Sequence, residues 1–381
     1  MAAGKRRRSE PHHTRAGSAG MTLADLDTDD LRFRTSAEVF DDLRDACEQN
    51  PDLATFEVIG ESEEGRPIAG VVLGYGPRSV TLIAGAHADE PVGPETLRTL
   101  ILEGLAARDW GAEGGGLGEL FERVTLRVVP HVNPDGEARN RPWIEAWDAD
   151  RPHATLASFF RGRRRELPGR DVEYGYPDLR PENAAATRFL FGDGPVALHA
   201  SLHGMGVSEG ALLLIERGWI DRPEVADLRR AFAEGAEAAG LRLHDHDRDD
   251  DKGFDYAGPG FWTTPTGAAM RAHFERAGAS DTAALFRNAS MDQAAEAGGD
   301  PLRIVTELPL FQLAAEYDHE PGVPALLHQW QERAPALVQA AAEGADLGPL
   351  VGDLGLRCVP LADAVRVHLA TLDSALGATA P

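Results

Sequence analysis

Cysteine is scarce in this chain of 381 residues, which contains only Cys47 and Cys358. Two cysteines so far apart form neither a Cys-x-x-Cys redox pair nor a cysteine-rich zinc module, and a disulfide-stabilised scaffold of this length would need more of them. We therefore expect a reducing compartment, the cytoplasm. The sequence also lacks an apolar run of about 18 residues, so it predicts no transmembrane helix and no membrane partner.

Positive charge is also in deficit. The chain has 38 Lys and Arg residues against 62 Asp and Glu residues, a formal net charge of −24. Phosphate groups would repel such a protein, so the charge argues against a protein that coats nucleic acid or an anionic membrane. The composition, with 43% hydrophobic and 26% charged residues, is that of a globular protein rather than of a disordered chain.

The first 20 residues depart from this acidic character. Five basic residues (Lys5, Arg6, Arg7, Arg8 and Arg15) stand there against the single acid Glu10. No apolar stretch follows the cluster, so it does not open a signal peptide. A basic run of this kind can bind nucleic acid, but we interpret residues 1–20 as a disordered extension ahead of a natural start at Met21. Residues 21–381 are then expected to form one catalytic domain.

Hydrophobic periodicity predicts strands that alternate with helices. Predicted strands cover residues 55–59, 68–73, 80–84, 124–129, 196–202, 211–215 and 302–305, and predicted helices cover 36–48, 93–107, 223–239, 322–343 and 360–376. This alternation indicates an α/β fold with a mixed, mostly parallel sheet covered by helices on both faces. Residues 133–195 are predicted to form a long irregular, functional segment, and residues 244–251 a solvated acidic loop.

In such folds ligands bind beyond the carboxyl ends of the strands. The strand at 80–84 runs directly into His87-x-x-Glu90 ahead of a helix. Residues three apart at a turn entering a helix can lie on the same side, and imidazole and carboxylate are good zinc ligands. Taken alone, the pair is equally compatible with an exposed loop.

Two further strands deliver matching groups. The strand at 196–202 is followed by His203, which we predict as the third ligand, since two histidines and a glutamate are a known catalytic zinc set. His199 lies four residues earlier and is expected to be a hydrogen-bonded core histidine. The apolar strand at 302–305 leads to Glu307, which would take a proton from zinc-activated water. The alternative for Glu307 is a rim carboxylate paired with Arg303.

With these motifs in their order, the chain resembles the zinc metallocarboxypeptidases of the carboxypeptidase A type. The shared features are His87-x-x-Glu90, Asn133-Pro134-Asp135-Gly136, His203 after a strand, and Thr306-Glu307-x-Pro309, and the resemblance extends over about residues 35–345. It implies a carboxypeptidase-like fold, with an eight-stranded mixed sheet between helices and one Zn²⁺ per chain. It also implies that His87, Glu90 and His203 bind the metal and that Glu307 is the general base.

The resemblance also implies roles for other residues, whose motifs match the family pattern less closely. The arginine that polarises the scissile carbonyl is best matched by Arg141, with Arg139 behind it. The family's Asp-x-Asn-Arg segment is matched to the stretch that begins at Asp178, which would orient a ligand histidine. Arg180 in that stretch would bind a substrate carboxylate, although the Asn-Arg pair is not intact. Tyr256 is the candidate for the tyrosine that caps the substrate, and residues 261–265 are an alternative pocket lining.

These observations lead to three hypotheses about function. The first is a zinc-dependent metallocarboxypeptidase that hydrolyses peptides. The second is a zinc-dependent deacylase or amidase that acts on N-acyl amino acids, which differs in how the substrate carboxylate is held. The third is a non-catalytic zinc-binding protein on the same fold. No nucleic-acid partner is expected.

Overall fold

The computed structural model describes residues 21–108, 117–167, 169–248 and 252–380, and the basic extension at 1–20 lies outside these ranges. The helices are α1 (Ser36–Glu48), α2 (Val92–Ala106), α3 (Leu117–Arg123), α4 (Pro134–Glu145), α5 (Pro152–Gly162), α6 (Pro181–Phe191), α7 (Ala226–Ala238), α8 (Gly267–Arg276), α9 (Ser280–Ala283), α10 (Ser290–Glu296), α11 (Ala325–Ala342), α12 (Gly348–Val351) and α13 (Leu361–Ala378). The strands are β1 (Ala54–Glu61), β2 (Pro67–Leu73), β3 (Arg78–Ala84), β4 (Val124–Val129), β5 (Leu198–Ser208), β6 (Gly210–Ile215), β7 (Arg242–Leu243), β8 (Phe261–Thr263), β9 (Leu302–Leu313) and β10 (Leu356–Cys358).

The strands form one mixed sheet in the order β1-β2-β4-β3-β5-β9-β6-β7, with β8 paired to β6 and β10 to β9. The centre of the sheet, β4-β3-β5-β9, is parallel. The edge hairpin of β1 and β2 and the pairing of β6 with β9 are antiparallel. The predicted mixed, mostly parallel sheet is thus confirmed. The sheet has ten strands in the part of the chain that the structure describes, against the eight expected, and β8 and β10 are the two short strands that lie off its main order.

Helices cover both faces of the sheet because the central strands are apolar on both sides. Along β3, Leu82 packs in the larger core with α2 and α13, while the next residue, Ile83, packs in a second core with α6. Successive side chains of a strand point to opposite faces, so a strand buried on both sides must be apolar at nearly every position. This explains the continuous hydrophobic runs of β3 and β4.

Residues 133–195 are more regular than predicted, since α4, α5 and α6 occupy most of the segment. Each of these helices has a proline at its first position: Pro134, Pro152 and Pro181. A proline there loses no hydrogen bond, because the first helical N–H groups have no partner within the helix. Proline that indicated a loop in the sequence therefore marks the start of a helix.

The predicted solvated loop at 244–251 is also corrected in part. His244 and Asp245 are buried, with 4% and 2% of their surfaces exposed, and residues 249–251 lie outside the described ranges. None of the helices in the described ranges is both long enough and apolar enough to cross a bilayer.

Candidate metal centre and its surroundings

The loop that carries His87 and Glu90 begins directly after β3. Gly85 has φ +76°, and a Cβ at this position would lie 2.5 Å from the His131 ring, so the turn requires glycine. The backbone N–H of Glu90 donates to the carbonyl of His87 at 3.2 Å. This turn places the two side chains on the same side, with His87 Nδ1 2.9 Å from Glu90 Oε1.

His203 and Glu307 come from neighbouring parallel strands. The strand β5 continues beyond the end of β3, since Ala84 pairs with Leu202 and His203 is the next residue. His203 pairs in register with Glu307 of β9. Both residues therefore lie within long strands, not at strand ends as the sequence had indicated, but at the level where β3 stops and the site opens.

His87, Glu90 and His203 present donor atoms that all lie within 4.8 Å of one another. His203 Nδ1 is 3.2 Å from Glu90 Oε2 and 3.3 Å from His87 Nδ1. The Glu90 carboxylate also accepts the backbone N–H of Gly204 at 3.1 Å, which fixes it against β5. Two imidazole nitrogens and a carboxylate converging in this way are a donor set that fits a zinc ion.

The charges around these three residues favour a cation. Burial alone would lower the pKa of His203, but the hydrogen bond that it donates to Glu90 and the charge of Glu173 raise it to about 9. Burial likewise opposes protonation of His87, and Glu90 and Glu173 outweigh it, so its pKa is well above the usual value. A histidine that ligates a metal must be neutral, so a divalent ion would replace the positive charge that protons otherwise supply here.

Glu307 lies beside this cluster in an environment that disfavours its charge. Burial and the nearby Glu90 carboxylate raise the pKa of Glu307 to about 8, against the partial compensation from His203 and His87. A bound divalent cation reverses this balance, because it favours the ionised carboxylate. In that state Glu307 is a proton acceptor beside the cluster.

The carboxylates that hold the outer nitrogen of His87 are Asp171 and Glu173. His87 Nε2 lies 3.1 Å from Glu173 Oε2 and 3.5 Å from Asp171 Oδ2. The sequence analysis gave this role to Asp178, which lies seven residues further on and is exposed. The Asp-x-Asn-Arg pattern of the resemblance is therefore matched here by Asp171-Val172-Glu173-Tyr174, in which both Asn and Arg are replaced. The sequence analysis overlooked Asp171 and Glu173, a pair of acidic residues two positions apart.

Arg180 lies away from the ligand cluster. Its side chain is 1% exposed and is paired with the buried Glu182, Nη2 to Oε1 at 2.7 Å. Glu166 and Glu63 lie at 3.4 and 3.7 Å from the same guanidinium. The predicted carboxylate-binding role does not fit this position, because the guanidinium is buried among carboxylates of the protein itself.

The other predicted polar groups also have partners outside the cluster. Arg141 pairs with Glu145 on the exposed side of α4, at 2.6 Å. Arg139 pairs with Glu64, also at 2.6 Å. The hydroxyl of Tyr256 donates to Asp245, whose pKa this bond helps to lower. These contacts favour structural roles for all three side chains.

Two arginines that sequence reasoning missed lie closer to the site. Arg163 and Arg165 follow α5, and both guanidinium groups donate through Nε to Oδ2 of Asp89, at 2.5 and 3.1 Å. Asp89 is the residue immediately before Glu90, and it is 3% exposed. In the sequence these arginines stand in a run of basic residues, which gave no indication that two of them are bonded to the loop that carries His87 and Glu90.

His199, the second-ranked histidine, is a core residue. Its Nδ1 is 2.8 Å from Thr81 Oγ1 and its Nε2 is 2.9 Å from Ser290 Oγ. Both ring nitrogens therefore have hydroxyl partners, and burial lowers its pKa to about 3. The hydrogen-bonded core role expected for His199 agrees with this geometry.

Comparison with known proteins gives a consistent result. Residues 40–208 match the family model for zinc carboxypeptidases. Carboxypeptidase 2 of Trichophyton rubrum is 24% identical over 216 residues, which are 52% of this chain and 37% of that protein. Zinc carboxypeptidase A 1 of Drosophila melanogaster is 31% identical over 113 residues, 26% of this chain and 25% of that protein. The chain thus spans well under half the length of these relatives.

Among solved structures, a metallo-carboxypeptidase from Burkholderia cenocepacia is 17% identical, with a TM-score of 0.45 over 90% of this chain and 70% of that chain. Carboxypeptidase A from Helicoverpa armigera is 16% identical, with a TM-score of 0.42 over 85% of this chain and 76% of that chain. The matched segment 40–208 contains His87, Glu90 and His203. The resemblance seen in the sequence is confirmed by the match of residues 40–208 to the zinc carboxypeptidase family model.

Proposed function

We propose that the protein is a zinc-dependent hydrolase of peptide or amide bonds. The observation that carries this proposal is the convergence of His87, Glu90 and His203 within 4.8 Å, with Glu307 in register beside His203. A zinc ion bound by these three residues supplies Lewis acidity that activates water and polarises a carbonyl group. The relationship to zinc carboxypeptidases supports the same chemistry.

The remaining catalytic roles belong to side chains of the protein. Glu307 takes a proton from the attacking water and carries it to the leaving amine, which is the role of a general base positioned beside the ligands. Asp171 and Glu173 fix the orientation of His87 through Nε2. Arg165 is the best-placed group to stabilise the developing oxyanion, since it is anchored to Asp89 and its side chain is 61% exposed.

A second candidate activity is the deacylation of N-acyl amino acids or the hydrolysis of amides without a free terminal carboxylate. The buried pairing of Arg180 with Glu182 favours amides that lack a terminal carboxylate, because this arginine is not available to bind such a group. The two activities share the ligands and the base, and they differ in the group recognised next to the scissile bond.

The test is a substrate panel with zinc-loaded protein. The panel contains blocked peptides and N-acyl amino acids, each as the free acid and as the C-terminal amide. Hydrolysis of the peptide free acids alone would indicate a carboxypeptidase, hydrolysis of the N-acyl amino acids alone would indicate a deacylase, and hydrolysis of the C-terminal amides as well would indicate an amidase. Glu307→Gln is the matched control, since it retains the shape of the side chain. Equal turnover by wild type and this variant, or no turnover by either, would contradict the proposal.

A further inference from the structure

Two carboxylates are directed at one nitrogen of His87, although one is enough to orient an imidazole. Glu173 and Asp171 lie 3.1 and 3.5 Å from Nε2, and their side chains are 25% and 41% exposed. The Glu173 carboxylate is paired with His87, and the backbone N–H of Glu173 donates to Asp171 Oδ1 at 2.8 Å. One of these acidic groups is therefore surplus to the task of holding the ligand and remains accessible from outside.

The positively charged side chains nearby do not neutralise the negative charge of these carboxylates. Arg163 and Arg165 are both bound to Asp89. With neutral histidine ligands, the carboxylates of Glu90, Glu307, Asp171 and Glu173 exceed the charge of a divalent ion by two. Arg163, Arg165 and Asp89 together contribute a net charge of +1, so one negative charge remains unbalanced. A bound substrate that carries a positive charge would reduce the remaining repulsion.

An independent observation on the same wall is the hydroxyl of Tyr176. Tyr176 is 3% exposed, and within the described part of the chain its hydroxyl is buried without a hydrogen-bond partner. A buried hydroxyl without a partner is costly and indicates a missing polar group. Tyr176 lines a small cavity together with Glu173, Ser201 and His203, and the volume of about 10 Å³ has room for one water-sized group.

We propose that Glu173, Asp171 and Tyr176 form a subsite for a primary ammonium group of the substrate. An ammonium head has three N–H donors and is close to a water molecule in size, so it fits both the acceptors and the cavity. A guanidinium or a trimethylammonium group is too large. Glu173 and Tyr176 are three residues apart, so their Cα atoms lie within about 11 Å. A carboxylate would be repelled here.

This inference rests on the proposed function and specifies its substrate as an amide that carries a free primary amine next to the scissile bond. It also predicts that the wall formed by residues 171–176 discriminates by charge. The same residues could instead hold a second divalent cation, since His87, Asp171 and Glu173 also place donor atoms within 4.8 Å of one another. The experiment distinguishes the two.

The first measurement does not depend on turnover. Binding of methylammonium, tetramethylammonium and acetate to zinc-loaded protein is followed by calorimetry, and zinc per chain is measured on the same samples. We expect methylammonium alone to bind, Glu173→Gln to weaken it at least about tenfold because a charged acceptor is lost, and Tyr176→Phe to weaken it a few-fold. Glu343→Gln, at an exposed position of the chain, is the matched control and should bind as wild type does.

The second measurement compares the kcat/KM of matched substrates that carry a free amine or its uncharged acetylated form. Wild type should prefer the amine, and Glu173→Gln should lose this preference while it keeps one zinc. Methylammonium binding that is unchanged in Glu173→Gln would overturn the subsite. Two zinc ions per chain in wild type and one in Glu173→Gln would assign these residues to a second metal instead. A protein that binds methylammonium but hydrolyses neither substrate would refute the proposed function and leave the subsite standing.

Discussion

His203 and Glu307 are register partners on the adjacent parallel strands β5 and β9, although 103 positions separate them in the sequence. Register partners on neighbouring strands point to the same face of the sheet. The proposed ligand and the proposed base therefore project side by side at the level where β3 ends. Their relative position is set by the central hydrogen-bond ladder of the sheet and not by a flexible loop.

Zinc content should depend on His203 and not on His199. We expect His203→Ala to lose most of its zinc, because it removes one of three donors that converge within 4.8 Å. His199→Ala should retain one zinc per chain, since both nitrogens of His199 are bonded to Thr81 and Ser290. Metal analysis after dialysis gives the result. Zinc retained in the first variant and lost in the second would move the ligand to His199.

Glu307→Gln should keep zinc and lose turnover. The amide has nearly the same shape but cannot accept the proton of the attacking water, and a positioned general base contributes about 10²–10⁴ in rate. We expect kcat to fall by that range while KM changes little. Steady-state kinetics on zinc-saturated protein measures it, and activity within a few-fold of wild type would remove Glu307 from the mechanism.

Zinc affinity should rise with pH up to about 9. Glu90 and Glu173 outweigh the effect of burial and raise the pKa of His203 to about 9, and zinc binds only the neutral imidazole. Below this pH each binding event must displace a proton, so affinity falls as pH falls. Competition with a chelator at pH 6, 7, 8 and 9 checks the trend, and calorimetry in buffers of different ionisation enthalpy should detect proton release. An affinity that is constant over this range would contradict the protonated state of His203.

Loss of Arg180 should lower the free energy of unfolding. Arg180 and Glu182 are both almost fully buried, so Arg180→Ala leaves a carboxylate inside the protein without its partner. Breaking a buried pair in this way costs about 3–5 kcal/mol. Arg139→Ala, which breaks a surface pair with Glu64, should cost about 1 kcal/mol or less. Urea denaturation of the two variants gives the comparison, and a selective loss of carboxylate preference in folded Arg180→Ala would restore the role first predicted from sequence.

The protein should lose stability as pH falls from 6.5 towards 4. Burial lowers the pKa of both His199 and His368 to about 3, well below the usual value. The unfolded chain then binds more protons than the folded one between these values, so the free energy of unfolding decreases with falling pH. A shift of this size corresponds to about 2 kcal/mol per histidine at pH 5. His199→Gln should reduce the slope of unfolding free energy against pH, and an unchanged slope would exclude His199 as a cause.

The proposed ligands and the proposed base were predicted from sequence because each comes shortly after an apolar run. A histidine or glutamate directly after a buried strand is expensive unless it has a partner or a function. In the sequence His87, His203 and Glu307 follow apolar runs and Glu90 is three residues after His87, and the order of the motifs carries the resemblance to the family. In the structure His203 and Glu307 lie within the longer strands β5 and β9. The boundaries of α1 and β4 were also predicted correctly, since their periodicity is uninterrupted.

Tertiary structure determines which side chains surround the proposed metal ligands. Asp171 and Glu173 meet His87 although more than 80 positions separate them, and Arg163 and Arg165 meet Asp89 across a similar distance. The sequence offers many other acids and arginines with the same local character, such as Asp178, Arg139, Arg141 and Arg180. The position of a charged residue in the sequence does not indicate which residue it will pair with. Charged side chains are long and can extend in many directions from the surface. Only the packing of α4, α5 and α6 against the sheet determines which of them reach the site.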